Sequence, residues 1–517
     1  MANSLLMGEQ GRSTSHTLTS LWLARGQAMV RGLLPPLAPL RAPPPRRQER
    51  IGLVGVVIIG VVYTTILFTY MFRLHNGEGT HGEDLGIMDQ VLWNTAHGNF
   101  WHQTICNPIS DLNCLGNVSR WSIHFEPSML LLVPFYWFGG GPHVLQFVQV
   151  AGVALGALPA YWLGSRRLGH IAWGWALALA YLLMPVLYSA VTTDFHMVTL
   201  AAPALLFALY FLYTHNNRGL IIACLFALGT KEQIALDVFM LGGAAILLQR
   251  RYRVGLALGG LAIAWAVVAL SVIHFTSPLG ASPTAARYDG LAATLARLPQ
   301  ILLDPARRGY LVKLLLNAGG VGILAPWALL LAAPAILLNV LSNTPAQYSG
   351  QHQYNADIAP FLLIALLEGT VVLLAFVARV RPRFAALIAW RQARQPALAA
   401  LVVVITLGGL GVTGVTQAAE TRAQYLWQTW PGPTAHTKLL PTVLGIVPDD
   451  AAVAAQAELV PHLSHRALIY QFPDGIAEAD FIVLDTKSDY YPEPTWAHYQ
   501  DDVQTLLHDP QYTVLYD

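Results

Sequence analysis

The sequence predicts a mainly α-helical membrane protein, a polytopic bundle of about eleven spans with a small soluble α/β domain at its C-terminal end. Of the 517 residues, 55% are hydrophobic and only 11% are charged, whereas ordinary soluble domains contain about 25% charged residues. A bundle covered by lipid needs no charged surface, because the bilayer core contains no water. From Thr421 onward the long apolar runs end and short strand and helix patterns alternate, which is typical of an α/β domain.

The first fifty residues are polar and rich in proline, and they lack the apolar core and cleavage site of a signal peptide. We therefore expect residues 1–50 to form a disordered tail. Arg46, Arg47 and Arg50 stand directly before the first apolar run. Because positive residues hold the end of a span in the cytoplasm, this tail is predicted to be cytoplasmic.

The apolar runs alternate with polar turns so that every strongly basic turn falls on the cytoplasmic side. This predicts a multi-pass protein of the inner (cytoplasmic) membrane, with a transmembrane domain over residues 51–418. The large first loop, residues 75–127, and the C-terminal domain, residues 421–517, are then both outside. The predicted spans are Ile51–Phe72, Gly141–Leu163, Ile171–Ala190, Met197–Tyr213, Leu220–Gly229, Ile234–Leu248, Val254–Phe275, Leu311–Leu324, Pro326–Leu341, Ile358–Val377 and Ala397–Gly414.

Two smaller features belong to this outer side. The stretch that follows the first loop is too short to span, and we expect it to lie in the membrane interface with Tyr136 and Trp137 as anchors. Cys106 and Cys114 stand eight residues apart in the polar loop, while Cys224 lies in an apolar run. In an oxidising compartment the first two form a disulfide; the alternative is two free thiols.

The first outer loop carries acidic and histidine residues at both of its ends. It opens with "GEDLGIMDQVLWN", which contains Glu83, Asp84 and Asp89, and it closes on "HFEP", which contains His124 and Glu126. Ionisable side chains beside the bilayer are costly, so each is a candidate site residue. If the opening segment is helical, Asp84 and Asp89 share a face only loosely, because they are five residues apart.

Three further turns place ionisable residues on the same predicted side. They are Asp194 and His196 in "TTDFH", Lys231 and Glu232 in "GTKEQ", and His352, Tyr354 and Asp357 in "SGQHQYNADIAP". The predicted cytoplasmic turns carry mostly arginine, so this one-sidedness favours a reaction or binding site at the outer surface. The alternatives are structural: a helix cap or mutual pair for Asp194 and His196, a solvated turn for Lys231 and Glu232, and a structural role for His352.

These motifs resemble a family of bacterial polytopic membrane proteins, the domain of unknown function 2079, from about Tyr63 to the C-terminus. The resemblance rests on "DLGIMDQVLWN", "HFEP", "DFH", "KEQ", "HQY" and the "AAQAELVPHLSHR…IYQFP" domain. More distantly, the chain is similar to C-type membrane glycosyltransferases with the GT-C fold, which use lipid-phosphate sugars. In these, the first outer loop bears the essential acidic residue near its start and ends in a segment containing His and Pro.

The distant resemblance implies that Asp84 is the general base. Glu83 and Asp89 stay open as alternatives, because the acidic pair here is Glu83–Asp84 and no tyrosine follows it in the pattern of those enzymes. The segment from His124 to Pro127 matches the second feature imperfectly. The substrate-binding candidates are His124, Glu126, Asp194, His196, Lys231, Glu232, His352 and Tyr354.

The chemistry of such an enzyme sets requirements that the chain meets. A polyprenyl-phosphate sugar has a good leaving group, so the reaction needs a carboxylate that deprotonates the acceptor hydroxyl and tolerates an oxocarbenium-like transition state. The departing phosphate needs a cation, for which Lys231, Arg287, Arg307 and Arg308 are candidates.

No cofactor is indicated by the sequence. No His or Asp cluster has clear metal-ligand spacing, and the glycine runs lack the lysine of a phosphate-binding loop. The net charge of +1 gives no basic excess for nucleic acid. The expected partners are a polyprenyl-phosphate-linked sugar and membrane lipid, and the oligomeric state stays open.

Three hypotheses follow from these observations. The first is an integral-membrane glycosyltransferase that transfers a sugar from a polyprenyl-phosphate donor to an acceptor hydroxyl on the outer face of the membrane. The second is a transporter or flippase of a lipid-linked or polar solute, favoured by the broken helix around Lys231 but not by any clear internal repeat. The third is a non-catalytic protein that binds partners through its C-terminal domain.

Overall fold

The computed structural model describes residues 40–106, 118–380, 430 and 432–516. Most of the predicted N-terminal tail, Cys114 and the predicted span Ala397–Gly414 lie outside the described residues. Within them the chain is mainly helical, as the sequence predicts.

The α-helices are numbered here in chain order. They are α1 Arg46–His75, α2 Ile87–Ala96, α3 Val133–Tyr136, α4 Pro142–Leu155, α5 Ala157–Leu168, α6 Ile171–Leu182, α7 Pro185–Thr192, α8 Ala201–Tyr213, α9 Asn217–Leu228, α10 Ile234–Leu247, α11 Tyr252–Thr276, α12 Leu291–Leu303, α13 Pro305–Asn317, α14 Pro326–Leu331, α15 Ala333–Leu341, α16 Ala359–Val380, α17 Leu440–Leu444, α18 Val460–Leu463 and α19 Trp496–His508.

Short irregular helices and strands connect these elements. One π-helix covers Gly82–Gly86. The 3-10 helices are Arg120–Ser122, Pro127–Leu132, Met197–Leu200, Pro283–Arg287, Val321–Leu324, Pro345–Tyr348, His352–Asn355 and Thr437–Leu439. The strands are β1 His102–Gln103, β2 Val118–Ser119, β3 Val453–Ala455, β4 Ile469–Gln471 and β5 Phe481–Val483.

Among the described residues, four helical segments are long and apolar enough to cross a membrane by length and composition: Arg46–His75, Pro142–Leu168, Tyr252–Thr276 and His352–Val377. A fifth span is possible if α6 and α7, which are bent by 50° at their junction, cross as one unit. Several other predicted spans, α8, α9 and α10 among them, form apolar helices of only 10–17 residues. The count of eleven spans therefore stays a prediction.

Helix α1 and the α4–α5 segment run antiparallel, and this fixes the two ends of the bundle. Near the start of α1, Gly52 lies directly against the ring of Tyr161 on α5. Near its end, Gln146 Nε2 donates to Met71 O at 3.1 Å. The first end carries the bidentate pair between Arg167 and Glu368, with N–O distances of 2.8 and 2.7 Å. The candidate site lies at the opposite end.

The C-terminal region contains a three-stranded parallel sheet in the order β4-β3-β5. Helix α18 lies between β3 and β4 along the chain, and α19 follows β5, as the alternating pattern predicts. The predicted last strand is wrong, because residues 511–516 form turns and coil after α19. Their hydrophobic side chains Val514, Leu515 and Tyr516 are exposed and do not enter the sheet.

This sheet packs directly on the first loop. One hydrophobic core unites Leu85 and Val91 of the loop with Val453, Val460 and Ile469 of the C-terminal region. Thr104 Oγ1 accepts from the backbone nitrogen of Ile469 at 3.1 Å. The two polar regions that the sequence analysis treats separately therefore form one body above the end of α1.

Two predicted features of the first loop have different outcomes. Trp137 is exposed, as an interface anchor should be, but Tyr136 is buried and donates to Asp89 Oδ1 at 2.6 Å. Tyr136 is therefore not an interface anchor, because its hydroxyl is used inside the protein. Cys106 is disulfide-bonded, while Cys224 is free and buried.

Candidate functional site

The polar turns that the sequence analysis singles out converge at one end of the bundle. The π-helix Gly82–Gly86 brings Asp84 to His196, with 2.8 Å between Asp84 Oδ1 and His196 Nε2. The charge of Lys231 acts on His196, and the charge of His352 acts on Asp84. Four segments far apart in the chain thus contribute to one cluster.

Asp84 and His196 form the contact at the centre of this cluster. The Asp84 side chain is 37% exposed and that of His196 only 9%. The second imidazole nitrogen, Nδ1, lies 2.8 Å from the carbonyl oxygen of Asp194. Because a carboxylate and a carbonyl both accept hydrogen bonds, the ring donates from both nitrogens and is an imidazolium.

The pKa values of the two partners agree with this assignment. Burial raises the pKa of Asp84, but the charge of His196 and its hydrogen bond outweigh burial and lower the pKa to about 2. Burial lowers the pKa of His196, but the Asp84 carboxylate and the Asp194 carbonyl raise it above its ordinary value. At neutral pH the pair is therefore carboxylate and imidazolium.

Gln149 on α4 holds the backbone that carries His196. Its Oε1 accepts from the backbone nitrogen of His196 at 2.8 Å. Its Nε2 donates to Val191 O at 3.1 Å and to Thr193 O at 3.2 Å. Gln149 was not among the predicted site residues, although an amide inside an apolar span is a signal, since lipid offers it no partner.

Helix α18 and strand β4 of the C-terminal region pack against the π-helix that carries Asp84. A Cβ atom at Gly86 would lie 3.0 Å from Val460 Cγ1, and one at Gly82 would lie 2.7 Å from Gln471 Oε1. The two glycines therefore allow this close approach. Glu83 points to the same sheet and accepts from Gln471 Nε2 at 2.9 Å.

Asp89 occupies a different position from Asp84. It is fully buried, and besides Tyr136 it binds Ser464 Oγ at 2.6 Å and His465 Nε2 at 3.0 Å. Asp89 Oδ2 thus joins the first loop to the C-terminal region, while Oδ1 binds Tyr136. Of the three predicted catalytic carboxylates, the structure brings Asp84 alone to His196.

Lys231 lies in the break between α9 and α10 with a buried side chain. Its neighbour Glu232 is directed elsewhere, to His124 Nδ1 at 2.8 Å and to the backbone nitrogen of Phe125 at 3.2 Å. Within the described part of the chain, the Lys231 ammonium makes no hydrogen bond or ion pair. Burial lowers its pKa, Glu232 and Glu126 oppose this, and Arg287 and Arg120 lower it further.

The remaining predicted cations divide into two kinds. Arg287 is half-buried, and its charge acts on both Lys231 and Tyr354. Arg307 is used structurally, since its guanidinium donates to Val340 O at 2.8 Å and to Ser342 O at 2.9 Å. Glu126 likewise pairs with Arg120 at 3.3 Å, so this acid supports the end of the first loop.

His352 sits in a strained backbone conformation beside the pair. Its φ is 57°, in the left-handed region that non-glycine residues seldom adopt. Its backbone nitrogen donates to Ser189 Oγ at 3.0 Å, and its ring lies 6.3 Å from that of Tyr354. Such strain clusters at functional sites, where the surrounding structure maintains it.

Two buried carboxylates lie near this cluster: Asp357, which belongs to the last of the predicted outer turns, and Asp237, which was missed as a site residue. Asp357 Oδ2 accepts from Gln233 Nε2 at 2.8 Å. Asp237, on α10, is buried, and neither of its oxygens has a hydrogen-bond partner among the described residues. The signal for Asp237 was available, because it is an acid within an apolar run.

The fold and the site define an α-helical membrane protein with a polar cluster at one end of its bundle, under a C-terminal sheet. Residues 80–517 match the family described as "Predicted membrane protein (DUF2079)", and the chain belongs to this family. Among solved structures, the chain is similar to the crystal structure of ArnT from Cupriavidus metallidurans bound to undecaprenyl phosphate. The match has 15% identity and a TM-score of 0.44, and it covers 81% of this chain and 85% of that one. The comparison with curated proteins gives no match.

Proposed function

We propose that this protein is a membrane glycosyltransferase that transfers a sugar from a polyprenyl-phosphate donor to an acceptor hydroxyl on the outer face of the membrane. The observation that carries the proposal is the buried ammonium of Lys231, which has no hydrogen-bond or ion-pair partner among the described residues and lies beside the Asp84–His196 pair. A glycosyltransferase of this kind needs a cation that binds the donor phosphate and a carboxylate that receives the proton of the acceptor hydroxyl. Lys231 and Asp84 supply these two groups within one cluster.

The phosphate-binding role rests on the cost of burying a charge. A buried cation is expensive unless an anion compensates for it. Glu232, the adjacent acid, is directed to His124 and the backbone of Phe125, so it is not the direct partner of Lys231. Arg287 adds a second positive charge nearby. A phosphate on a lipid carrier supplies the missing anion at this depth, with charge-assisted hydrogen bonds.

The proposed step is a displacement at the anomeric carbon. The acceptor oxygen forms a bond to this carbon, and the bond from the carbon to the phosphate oxygen breaks. The electron pair of the broken bond stays on the polyprenyl phosphate, whose added negative charge Lys231 and Arg287 stabilise. The hydroxyl proton goes to a carboxylate oxygen of Asp84.

A carboxylate with a pKa of about 2 is a weak base, and this sets the timing of the proton transfer. The acceptor hydroxyl becomes strongly acidic only after its bond to the anomeric carbon has begun to form. Asp84 therefore receives the proton late in the reaction. Before then, its full negative charge stabilises an oxocarbenium-like transition state.

The topology is part of the same proposal. Positive residues before α1 place the start of that helix in the cytoplasm, and the pair Arg167–Glu368 lies at that end. The site, at the opposite end, is then on the outer face of the inner membrane.

Binding of undecaprenyl phosphate tests the proposal directly. The protein in lipid nanodiscs is titrated with this lipid, and bound lipid is counted by native mass spectrometry. Lys231→Gln is expected to weaken binding at least tenfold, whereas Lys438→Gln, the same change at an exposed lysine, leaves binding unchanged. Equal binding by the two variants would show that Lys231 does not bind the lipid phosphate, and this would overturn the proposal.

The rival function, a transporter or flippase, has one specific observation in its favour. Asp237 is a buried acid on an apolar helix with both oxygens unpaired among the described residues, and such acids often serve proton-coupled transport. The two functions separate in sealed liposomes that contain polyprenyl-phosphate-linked hexose. Release of polyprenyl phosphate supports the transferase, and movement of intact donor across the bilayer supports the rival.

A further inference from the structure

Helix α12, Leu291–Leu303, presents a row of leucines away from the protein. The side chains of Leu291, Leu295 and Leu302, called the leucine row here, are 57–77% exposed. With 3.6 residues per turn, these three positions lie within about 40° of one another around the helix axis. A continuous row of large apolar side chains is unfavourable in water, so this face calls for an apolar partner.

The other sides of α12 have different surroundings. Ile301 is buried and belongs to the core of the bundle, and α12 contacts α13 and α15. Arg297 and Gln300 are exposed on a third side. The helix therefore has one side on the protein, one polar side and one exposed apolar side. This division is typical of a helix that lies in the plane of the membrane interface.

Helix α12 is too short to cross a bilayer. Its 13 residues rise about 1.5 Å each and so span about 20 Å, whereas the hydrocarbon core is about 30 Å thick. If α12 meets lipid, it does so from one side of the membrane only.

Two arginines fix the level of α12 relative to the bundle. Arg297 Nη1 donates to Asn343 Oδ1 at 3.0 Å. Arg307, ten residues later on α13, donates to Val340 O at 2.8 Å and to Ser342 O at 2.9 Å. Both arginines thus bind the same few residues at the end of α15. Because of these two ties, α12 lies beside that end and does not run down the bundle.

This end of α15 lies on the side of the candidate site. The backbone nitrogen of Asn343 donates to Arg287 O at 2.8 Å, and the charge of Arg287 acts on Lys231. Asn343 Nδ2 also donates to Asp289 Oδ1 at 3.0 Å, and Arg297 pairs with the other oxygen of Asp289. Helix α12 and the backbone of Arg287 are therefore connected through a short polar network.

Lipid is the occupant that the surroundings of the leucine row indicate. The neighbouring helices α13 and α15 expose Val312 and Leu337, and the long apolar helix α11 exposes Val267. The leucine row thus continues a surface that a bilayer covers. Since Asp289 compensates the charge of Arg297, attachment depends on apolar contact and not on attraction to anionic head groups.

We propose that α12 is an interfacial helix whose leucine row inserts into the lipid leaflet on the side of the candidate site. Its apolar face then lies about 5–10 Å into the boundary between head groups and acyl chains. Through Arg297 and Asn343, this attachment also holds the backbone of Arg287 near the level of the lipid phosphates. The sequence analysis assigns no membrane segment between Phe275 and Leu311, because α12 is too short to be recognised as a span.

Spin labels measure the depth of the helix in the full-length protein. Single cysteines replace Leu295 or Gln300 in a Cys224→Ala background, which lacks the free thiol, and the labelled proteins are placed in phosphatidylcholine nanodiscs. Electron paramagnetic resonance then compares the access of oxygen, which concentrates in lipid, with the access of a water-soluble nickel chelate. The label of Leu295→Cys should favour oxygen at a depth of about 5–10 Å, and that of Gln300→Cys, on the opposite side of the helix, should favour nickel.

Two reference labels calibrate these values: Val267→Cys on α11 represents the bilayer, and Asp501→Cys, exposed on α19, represents water. A Leu295→Cys label as deep as that of Val267→Cys would show that α12 enters the bilayer core. A label as accessible to nickel as that of Asp501→Cys would show that the row lies in water. Spin–spin broadening with access to neither reagent would show that a second copy of the chain covers the row. Each of these three results overturns the proposal.

Hydrogen exchange tests whether lipid contact holds the helix in place. One double variant, Leu291→Gln with Leu295→Gln, puts two amides into the leucine row, and the matched control, Ala292→Gln with Ala296→Gln, puts them outside it. In nanodiscs, the backbone amides of α12 should exchange several times faster in the first variant and at the wild-type rate in the control. Equal exchange in the two variants would overturn the proposal. Neither measurement involves sugar transfer, so both are independent of the proposed function.

Discussion

Asp89 Oδ2 accepts a hydrogen bond of 2.6 Å from Ser464 Oγ, a residue 375 positions further along the chain. His465, the next residue, places its Nε2 3.0 Å from the same oxygen. The contact joins helix α2 of the first loop to the segment after α18. Asp84, five residues before Asp89, faces His196. The short segment 84–89 therefore both contributes to the candidate site and binds the C-terminal region.

Asp89→Asn is predicted to loosen this junction. Asparagine keeps only one acceptor oxygen, so one of the hydroxyls of Tyr136 and Ser464, which bind different oxygens of Asp89, loses its acceptor. The loss of a hydrogen bond to a buried charged group costs about 1.5–3 kcal/mol. The variant should therefore become sensitive to limited proteolysis between the bundle and the sheet. Asp449→Asn, at an exposed position, is the control, and equal cleavage of the two variants would contradict the structural role.

The sequence predicts a helical membrane protein because its apolar runs are long. It predicts that four polar turns lie at the same end of the bundle because apolar runs and polar turns alternate along the chain. It does not predict which carboxylate faces His196, because that depends on the π-helix at Gly82–Gly86 and on the close approach of Val460. A five-residue π-helix has no clear sequence signal. The packing of the C-terminal sheet on the first loop is also not predictable from the sequence, since the residues in contact lie hundreds of positions apart.

Tyr136 and Lys231 show the same limit for single residues. An aromatic residue beside a membrane segment is typical of an interface anchor, yet Tyr136 is turned inward by the buried Asp89. Lys231 and Glu232 are adjacent in the sequence, yet the carboxylate of Glu232 binds the imidazole of His124. In both cases a distant side chain decides the partner, and spacing along the chain carries no information about it.

Asp84→Asn is predicted to abolish sugar transfer while the protein keeps its fold. The change is nearly isosteric, and it removes the group that receives the acceptor proton. Removal of a general base typically costs about 10²–10⁴-fold in rate. Turnover with a polyprenyl-phosphate-linked sugar measures the effect, and size-exclusion chromatography checks the fold.

Glu83→Gln is the matched control for this change, because Glu83 faces Gln471 of the C-terminal sheet instead of His196. It should retain most of the turnover. If Asp89→Asn is inactive in a folded protein and Asp84→Asn is active, the role of base moves to Asp89. If all three variants transfer sugar normally, the proposed mechanism is wrong.

The C-terminal region is predicted to face the outside of the cell. Asp501, exposed on α19, offers a labelling position as Asp501→Cys. An impermeant maleimide should label this variant in intact cells, because the alternation of basic turns puts the region outside. Arg250→Cys, exposed in a predicted cytoplasmic turn, should react only after permeabilisation. The reverse labelling pattern would show that the topology is opposite to the predicted one and that the site faces the cytoplasm.

The Asp84–His196 pair is predicted to give the folded protein a stability plateau between about pH 4 and pH 6.5. The pKa of His196 is raised above 6.5, so the folded state holds more protons than the unfolded state just above that pH. The stabilisation that His196 contributes is complete below pH 6.5, and it is lost as the pH rises through the pKa that His196 has in the folded protein. The pKa of Asp84 is lowered from 3.8 to about 2, so its contribution is complete above 3.8 and is lost as the pH falls toward 2.

Thermal unfolding in nanodiscs from pH 3 to pH 9 measures this plateau as the difference in melting temperature between wild type and His196→Gln. The difference should be largest on the plateau and shrink on both sides, because only there are both charges present in the folded protein and their pairing retained. His508→Gln, at an exposed position, removes a histidine from the surface and should give no plateau. A difference for His196→Gln that stays constant with pH would mean that the imidazole supports the fold as a neutral group, and the ion pair would then not exist.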